Sequence, residues 1–247
     1  MAAQQEAAEW FSTWFDSPYY HILYKDRDMR EAQHFMDNLM GYLHPKPEEK
    51  ILDLACGKGR HSLYLNQKGC DVTGIDLSEQ SIAYARQFEN ERLHFAVHDM
   101  REVFKPETFD FVVNLFTSFG YFDNDTENVV ALCATAQSLK HGGKLVIDFM
   151  NTDKVIENLV LAEEKEVQGI NFKITRGVET GFIVKTIRFQ DKGQDYHFEE
   201  RVRALRQEDF LAFFQMTQLR MVDTFGDYEL NPYSQSASDR MIFVLKK

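Results

Sequence analysis

Two patterns of apolar and polar positions divide this chain. Between residues 50 and 149, short apolar runs alternate with stretches whose apolar residues recur at helical spacing, the arrangement of a doubly wound parallel sheet. The runs predict strands ending at Asp53 and Asp76, then strands over 93–99, 109–115 and 144–149. The amphipathic stretches predict helices over 60–68, over 78–88 with Ser78 as N-cap, and over 124–139, where Gly142-Gly143 supplies a left-handed stop. From about residue 163 to 205 the period drops to two, as in Ile170/Phe172/Ile174 and Tyr196/Phe198/Glu200/Val202. That period predicts an antiparallel insert of about three strands, with a turn at Asp191-Lys192-Gly193. A helix over 207–218 follows. Residues 220–225 and 240–245 then form a closing antiparallel pair, joined by the polar loop 226–239. The expected fold is α/β, a Rossmann-like sheet of seven strands carrying an antiparallel β insertion.

Ahead of the sheet the pattern is aromatic. Residues 7–15 place Trp10, Phe11, Trp14 and Phe15 on one helical face, Pro18 stops that helix, and Tyr19, Tyr20, Ile22, Leu23 and Tyr24 follow. This segment reads equally as a lid over a ligand pocket or as a patch on the core. A second helix is predicted over 28–43, closed by Pro45 and Pro47. The expected organisation is a helical cap over 1–44, an α/β domain over 45–160 and 206–247, and the insertion over 161–205, on the substrate side or at a dimer contact.

Chemistry concentrates at strand ends. Lys50 to Ser62 (KILDLACGKGRHS) is a buried-strand run, a carboxylate, a glycine turn and a helix start, a unit suited to a nucleotide or nucleoside. A dinucleotide fingerprint would carry a third glycine where Ser62 stands, and a pyrophosphate would be repelled by Asp53. S-adenosylmethionine is cationic and has no phosphate. Asp76, about twenty residues on, is placed to hold both ribose hydroxyls. Acids and amides also interrupt the apolar runs at Asp99-Met100 and Asn114-Leu115.

Leu52-Asp53-Leu54-Ala55-Cys56-Gly57-Lys58-Gly59 resembles the first motif of the class I S-adenosylmethionine-dependent methyltransferases, and Gly74-Ile75-Asp76-Leu77-Ser78 resembles their second. The resemblance implies that Asp53, Ala55, Gly57 and Gly59 approach the methionine moiety of S-adenosylmethionine and that Asp76 and Leu77 lie at its ribose. Asp99 and Met100 would flank the adenine, and Asn114 and Leu115 would pass near the methionine end. Residues 114–122 (NLFTSFGYF), just past the fourth strand, resemble the corresponding segment of small N-methyltransferases acting on nucleotide-linked amino sugars. So do Tyr20 to Tyr24 with Asp28 and Glu31-Ala32 upstream, and 198–203 (FEERVR) with Arg206-Gln207 downstream. The family's tyrosine near the acceptor amine corresponds to Tyr24. Its floor histidine is replaced by Tyr121, a far weaker base at neutral pH. Tyr24, Tyr121 and His61 are the catalytic candidates, and Tyr20, Phe119, Arg201 and Arg203 the substrate-binding ones.

Each has a plainer alternative. Asp99 also reads as a cap before Arg101, His61 as a hydrogen-bonded surface side chain, and the arginines of the insert as solvated strand-face charge. No metal site is expected, since Cys56, Cys70 and Cys133 lack ligand spacing and read as reduced thiols. A net charge of −11 disfavours a nucleic-acid partner. Residues 1–10 have glutamates where a secretory leader needs basic residues, and no apolar run spans a bilayer, so a cytoplasmic location is expected. Asn231-Pro232-Tyr233 resembles an adenine or glutamine amino-methyltransferase signature, but it stands outside the place after strand four where that signature belongs. The function expected is methyl transfer from S-adenosylmethionine to a small molecule, best an amine, by direct in-line displacement. The alternatives are a non-catalytic S-adenosylmethionine-binding protein and an NAD(P)-dependent oxidoreductase. An RNA methyltransferase would need a basic face that the composition lacks.

Overall fold

The computed structural model describes residues 10–25 and 29–247, with side chains in the first segment from residue 13 onward. In chain order the elements are α1 (Trp10–Phe15), α2 (Pro18–Leu23), α3 (Met29–Leu43), β1 (Lys50–Leu54), α4 (Arg60–Gln67), β2 (Asp71–Asp76), α5 (Glu79–Ala85), β3 (Leu93–Val97), β4 (Phe109–Asn114), α6 (Asp125–Ser138) and β5 (Leu139–Met150). They continue with α7 (Thr152–Glu157), β6 (Ala162–Val167), β7 (Ile170–Glu179), β8 (Phe182–Asp191), β9 (Gln194–Arg203), α8 (Gln207–Gln215), β10 (Arg220–Phe225) and β11 (Arg240–Lys246).

Contacts divide the described residues into a larger unit, 29–158 with 203–247, and a smaller one, 10–25 with 159–202. In this division α3 belongs with the α/β unit, whereas the sequence pattern grouped it with the first helices. Its Phe35, Met36 and Leu39 are fully buried among Ile51, Val72, Val113 and Val146 of the sheet. The predicted helix starts at Ala7 and Asp28 lie outside the described residues, as do the side chains of Trp10 and Phe11.

The larger unit is a seven-stranded sheet in the order β10-β11-β5-β4-β1-β2-β3. β1 through β5 run parallel, and β11 is antiparallel to both β5 and β10. Burial of β1, β4 and β11 along nearly their whole length follows from helices on both faces. On one face lies the α3 cluster. On the other, Phe210 of α8 packs 4.8 Å from Phe243 and 5.2 Å from Phe149. Burying a phenylalanine fully contributes about 2–3 kcal/mol, so this aromatic group fixes α8 against the sheet.

Gly142-Gly143 does not stop α6. The helix ends at Ser138, with Leu139 already extended, and the glycines sit within β5. Phe109 pairs with Leu139 and Phe111 with Lys144, so residues 140–143 of β5 stand opposite Asp110 alone, and Gly142 takes a φ of 83° in this bulge. The expected helix over 124–139 thus ends one residue early, because pairing of Leu139 with Phe109 makes that residue the first of β5.

The smaller unit is a four-stranded antiparallel sheet in the order β6-β7-β8-β9, not three strands. β6 (AEEKEV) is exposed at every position except Val167, so it carries no period-two signal. Its charges suit an edge strand that must not pair further. All three hairpins turn through two residues of left-handed backbone: Gln168-Gly169 (φ 54°, 78°), Thr180-Gly181 (50°, 80°) and Lys192-Gly193 (49°, 77°). Positive φ at both turn residues matches the strand twist and demands glycine at the second. Trp14, Leu23, Phe172, Ile174 and Ile187 form this unit's core. Pro18, which ends α1, occupies the first turn of α2, with Ser17 as N-cap. Among the described residues no helix is long and apolar enough to cross a membrane.

Candidate functional site

β1 pairs with β2 on one side and β4 on the other, so strand order reverses beside β1. Ligands of open α/β sheets bind in the crevice beyond the carboxyl ends at such a point. There Ala55, Gly57 and Gly59 adopt φ values of 59°, 54° and 76° and carry the chain into α4. The two glycines serve different ends. A Cβ on Gly57 would meet nothing within 4 Å, so its backbone borders open space. A Cβ on Gly59 would fall 2.5 Å from the Phe95 ring and 3.1 Å from Ala85, so glycine there serves packing.

Asp76 braces the loop. Its Oδ2 accepts from the Gly57 N–H and its Oδ1 from the Ser78 N–H, each at 2.8 Å. An ionised carboxylate offers about four acceptor positions, enough to brace a loop and hold hydroxyls as well. Asp53 lies one residue inside the strand end, since β1 runs on to Leu54. It is 2% exposed and accepts from Ser62 Oγ at 2.6 Å. Burial drives its pKa up to about 7 against the Ser62 hydrogen bond, and the Asp76 charge adds to the rise. Burial also raises the Cys56 thiol well above its usual value, which removes it as a nucleophile.

At the next strand ends, Asp99 accepts from the Arg101 backbone N–H at 2.8 Å and from its guanidinium at 2.6 Å. Arg101 reaches Glu127 as well, at 2.8 Å. Burial pushes Asp99 upward, but these bonds outweigh it and hold the carboxyl below its usual pKa. Met100 is half-buried beside it, while Leu77 is 39% exposed after Asp76. Asn114 is buried; its Nδ2 donates to Leu54 O at 3.2 Å, and its Oδ1 has no hydrogen-bond partner among the described residues. Leu115 is buried alongside.

Past β4, Phe116 and Thr117 take φ values of 58° and 59°. The Phe116 ring lies 4.5 Å from that of His61, whose Nε2 accepts from Arg60 Nε at 2.8 Å. Tyr121 donates its hydroxyl to Thr117 O at 2.8 Å, which makes it a brace of this segment. Phe119 is buried against Phe210, 5.8 Å away, as part of the core. Arg203 is engaged by Asp125 through contacts of 2.7 to 3.0 Å.

Tyr20, Tyr24 and Arg201 belong to the smaller unit. Tyr24 donates to Glu200 Oε1 at 2.6 Å, Trp14 Nε1 donates to the same oxygen at 2.7 Å, and the Lys185 ammonium contacts the Tyr24 hydroxyl and lies 4.5 Å from its ring centre. Tyr20 packs edge-on against Trp14 and Tyr24. Arg201 lies over the Phe182 ring at 4.8 Å. Among the described residues no cluster of histidine, cysteine and carboxylate side chains could hold a metal ion.

Residues 51–143 match a protein-family model described as a methyltransferase domain. Those residues are a methyltransferase domain. The putative methyltransferase YqeM of Bacillus subtilis (strain 168) is 36% identical over 115 residues, 45% of this chain and 47% of that protein. A dTDP-3-amino-3,4,6-trideoxy-alpha-D-glucopyranose N,N-dimethyltransferase of Streptomyces venezuelae is 33% identical over 99 residues, 40% of this chain and 41% of that one. The chain thus spans about half or less of the length of these curated relatives. The structure of CalS10, an amino pentose methyltransferase from Micromonospora echinaspora, superposes with a TM-score of 0.69 over 93% of this chain and 97% of its own, at 20% identity. The seven-stranded sheet is therefore the class I methyltransferase fold, and the methyltransferase domain contains the glycine loop, Asp76, Asp99 and Asn114.

Sequence reasoning missed Asp148 and Arg240. Asp148 is fully buried in β5, and Arg240 Nε donates to its Oδ1 at 2.8 Å. The signal was present: an aspartate interrupts the apolar run Leu145-Val146-Ile147-Asp148-Phe149.

Proposed function

We propose that this chain transfers a methyl group from S-adenosylmethionine to a small-molecule acceptor, an amine. The observation that carries the cofactor reading is the glycine loop, where Gly57 backbone borders open space directly above the Asp76 carboxylate. The donor set fits: an acid for the ribose, an unpartnered amide oxygen on Asn114 to accept from an ammonium, and no cationic group among these for a phosphate. S-adenosylmethionine supplies an electrophilic methyl on a positively charged sulfur. The chain's residues have three tasks. Asp76 accepts hydrogen bonds from the ribose hydroxyls, Asn114 Oδ1 accepts from the α-ammonium, and Leu115 with Phe116 excludes water from the reacting end. The acceptor reading is supported by the sugar N,N-dimethyltransferase among the relatives and by the resemblance of residues 114–122 to that group. A protonated amine must lose its proton before it attacks, so the acceptor's pKa sets the need for a base.

Calorimetric titration with S-adenosylmethionine and S-adenosylhomocysteine tests the cofactor step, with micromolar binding expected and no heat at millimolar ligand refuting it. An assay detecting S-adenosylhomocysteine across a panel of small amines, amino sugars among them, tests the acceptor. Turnover confined to hydroxyl or thiol acceptors would refute the amine.

A further inference from the structure

Two consecutive non-glycine residues with φ near 60° are rare, and one of these, Thr117, is β-branched, the residue type least suited to that region. Left-handed backbone costs about 1–2 kcal/mol per such residue and persists only where surrounding bonds over-determine it. Here they do. The Phe116 N–H donates to Asp148 Oδ2 at 2.7 Å and the Thr117 N–H to Asp148 O at 3.0 Å. Arg240 donates through Nε to Asp148 Oδ1 at 2.8 Å and through Nη2 to Thr117 Oγ1 at 2.9 Å. Tyr228 donates to Asp148 Oδ2 at 3.4 Å, and Arg240 lies over its ring at 5.5 Å.

The pair is costly by itself. Asp148 is fully buried and an ion pair taken out of water contributes little net stability, so hydrophobic residues would serve the sheet as well. What the pair accomplishes is local: it fixes a strained turn immediately after Asn114-Leu115. It also presents the Phe116 ring to His61, the second residue of α4, at 4.5 Å. The turn thereby touches the first turn of α4, the helix that follows the glycine loop.

We propose that Asp148 and Arg240 are positioning residues for the methyl donor, holding Phe116 and Thr117 in left-handed backbone so that the segment after β4 is pre-shaped for the methionine end of the ligand, with Thr117 Oγ1 as the point where Arg240 grips it. This rests on the cofactor reading above. A pre-shaped site binds more tightly because less ordering remains to be done on binding.

The test uses the full chain with S-adenosylhomocysteine as the calorimetric probe and melting temperature measured in parallel. Thr117→Ala removes the grip, and Thr117→Gly removes it while relieving the backbone strain. Both should weaken ligand binding about tenfold, the scale of one hydrogen bond to a charged group. Thr117→Gly should do so without loss of melting temperature. Thr117→Ser, which keeps the hydroxyl, should restore the parent affinity. A merely structural role shifts only the melting temperature, so affinities of Thr117→Ala and Thr117→Gly within twofold of the parent would overturn the proposal. If the parent chain itself fails to bind the probe, the cofactor reading falls first and this inference with it.

Discussion

The Gly57 backbone N–H donates to Asp76 Oδ2 at 2.8 Å, so the acid at the end of β2 holds the glycine loop that follows β1. One carboxylate thereby shapes the loop, and in the proposed function it also holds the ribose, so its substitutions separate the two tasks.

Asp76→Ala removes both, and should abolish measurable S-adenosylhomocysteine binding and lower stability by about 1–3 kcal/mol, the scale of leaving backbone donors unpaired. Asp76→Asn keeps one acceptor for the loop and should recover most of the stability while binding remains weak. Calorimetric titration and urea unfolding of both variants check this; equal affinity in Asp76→Asn and parent would place the ribose elsewhere.

The glycine pair predicts a second separation. Gly59→Ala drives a methyl into the Phe95 ring, 2.5 Å away, on backbone with φ 76°, and should destabilise by about 2–4 kcal/mol. Gly57→Ala meets open space and only the backbone penalty of about 1 kcal/mol, yet under the proposed function its methyl enters the space assigned to the ligand. Thermal melts should therefore single out Gly59→Ala, and binding should be lost in Gly57→Ala while its fold survives.

Asp53 makes stability depend on pH. Its pKa is about 7 in the fold against an ordinary 3.8, so the unfolded chain releases this proton at lower pH than the native one does. Between those values the native state binds more protons, and Asp53's contribution to stability falls as pH rises, fully present below 3.8 and lost once pH passes about 7. Asp53→Asn, which keeps an acceptor for Ser62, should abolish this slope and exceed the parent's stability at pH 8. Urea midpoints from pH 5 to 8 decide it, and parallel profiles for parent and variant would show that Asp53 is ionised throughout.

In the smaller unit, Glu200 Oε1 accepts from both Tyr24 and Trp14. Glu200→Ala should lower that unit's stability by about 2 kcal/mol and shift Trp14 emission as the indole N–H loses its acceptor. Tyr24→Phe should have a smaller effect on stability and leave the emission in place. Fluorescence-monitored denaturation checks both, and an unchanged spectrum in Glu200→Ala would refute the indole contact.

Much of the fold could be read directly. The runs around Ile51, Val72 and Val112 are buried parallel strands, and 220–225 with 240–246 is the closing antiparallel pair. β6 could not be read, because Glu163 to Glu166 face water on both sides and a strand without a buried face leaves no periodic trace. The end of α6 lies one residue from where the pattern puts it, but Gly142-Gly143 is not its stop: pairing of Leu139 with Phe109 starts β5 there, and the glycines fall inside that strand. At the site, the acids at strand ends were visible one by one. Their partners were not: Ser62 beneath Asp53, Arg101 gripping Asp99, and Asp125 holding Arg203 depend on how side chains turn.

The sequence by itself determined which residues form the strands of the main sheet, where the chain bends on glycine, and which acids lie at the strand ends, because hydrophobic period and backbone stereochemistry are local properties. Only the tertiary structure decided that Gly59 serves packing while Gly57 borders open space, that Asp53 is buried enough to hold its proton near neutrality, and that Arg240 reaches Asp148 across 92 positions. Those relations follow from strand register and burial, and both arise between segments distant in the chain.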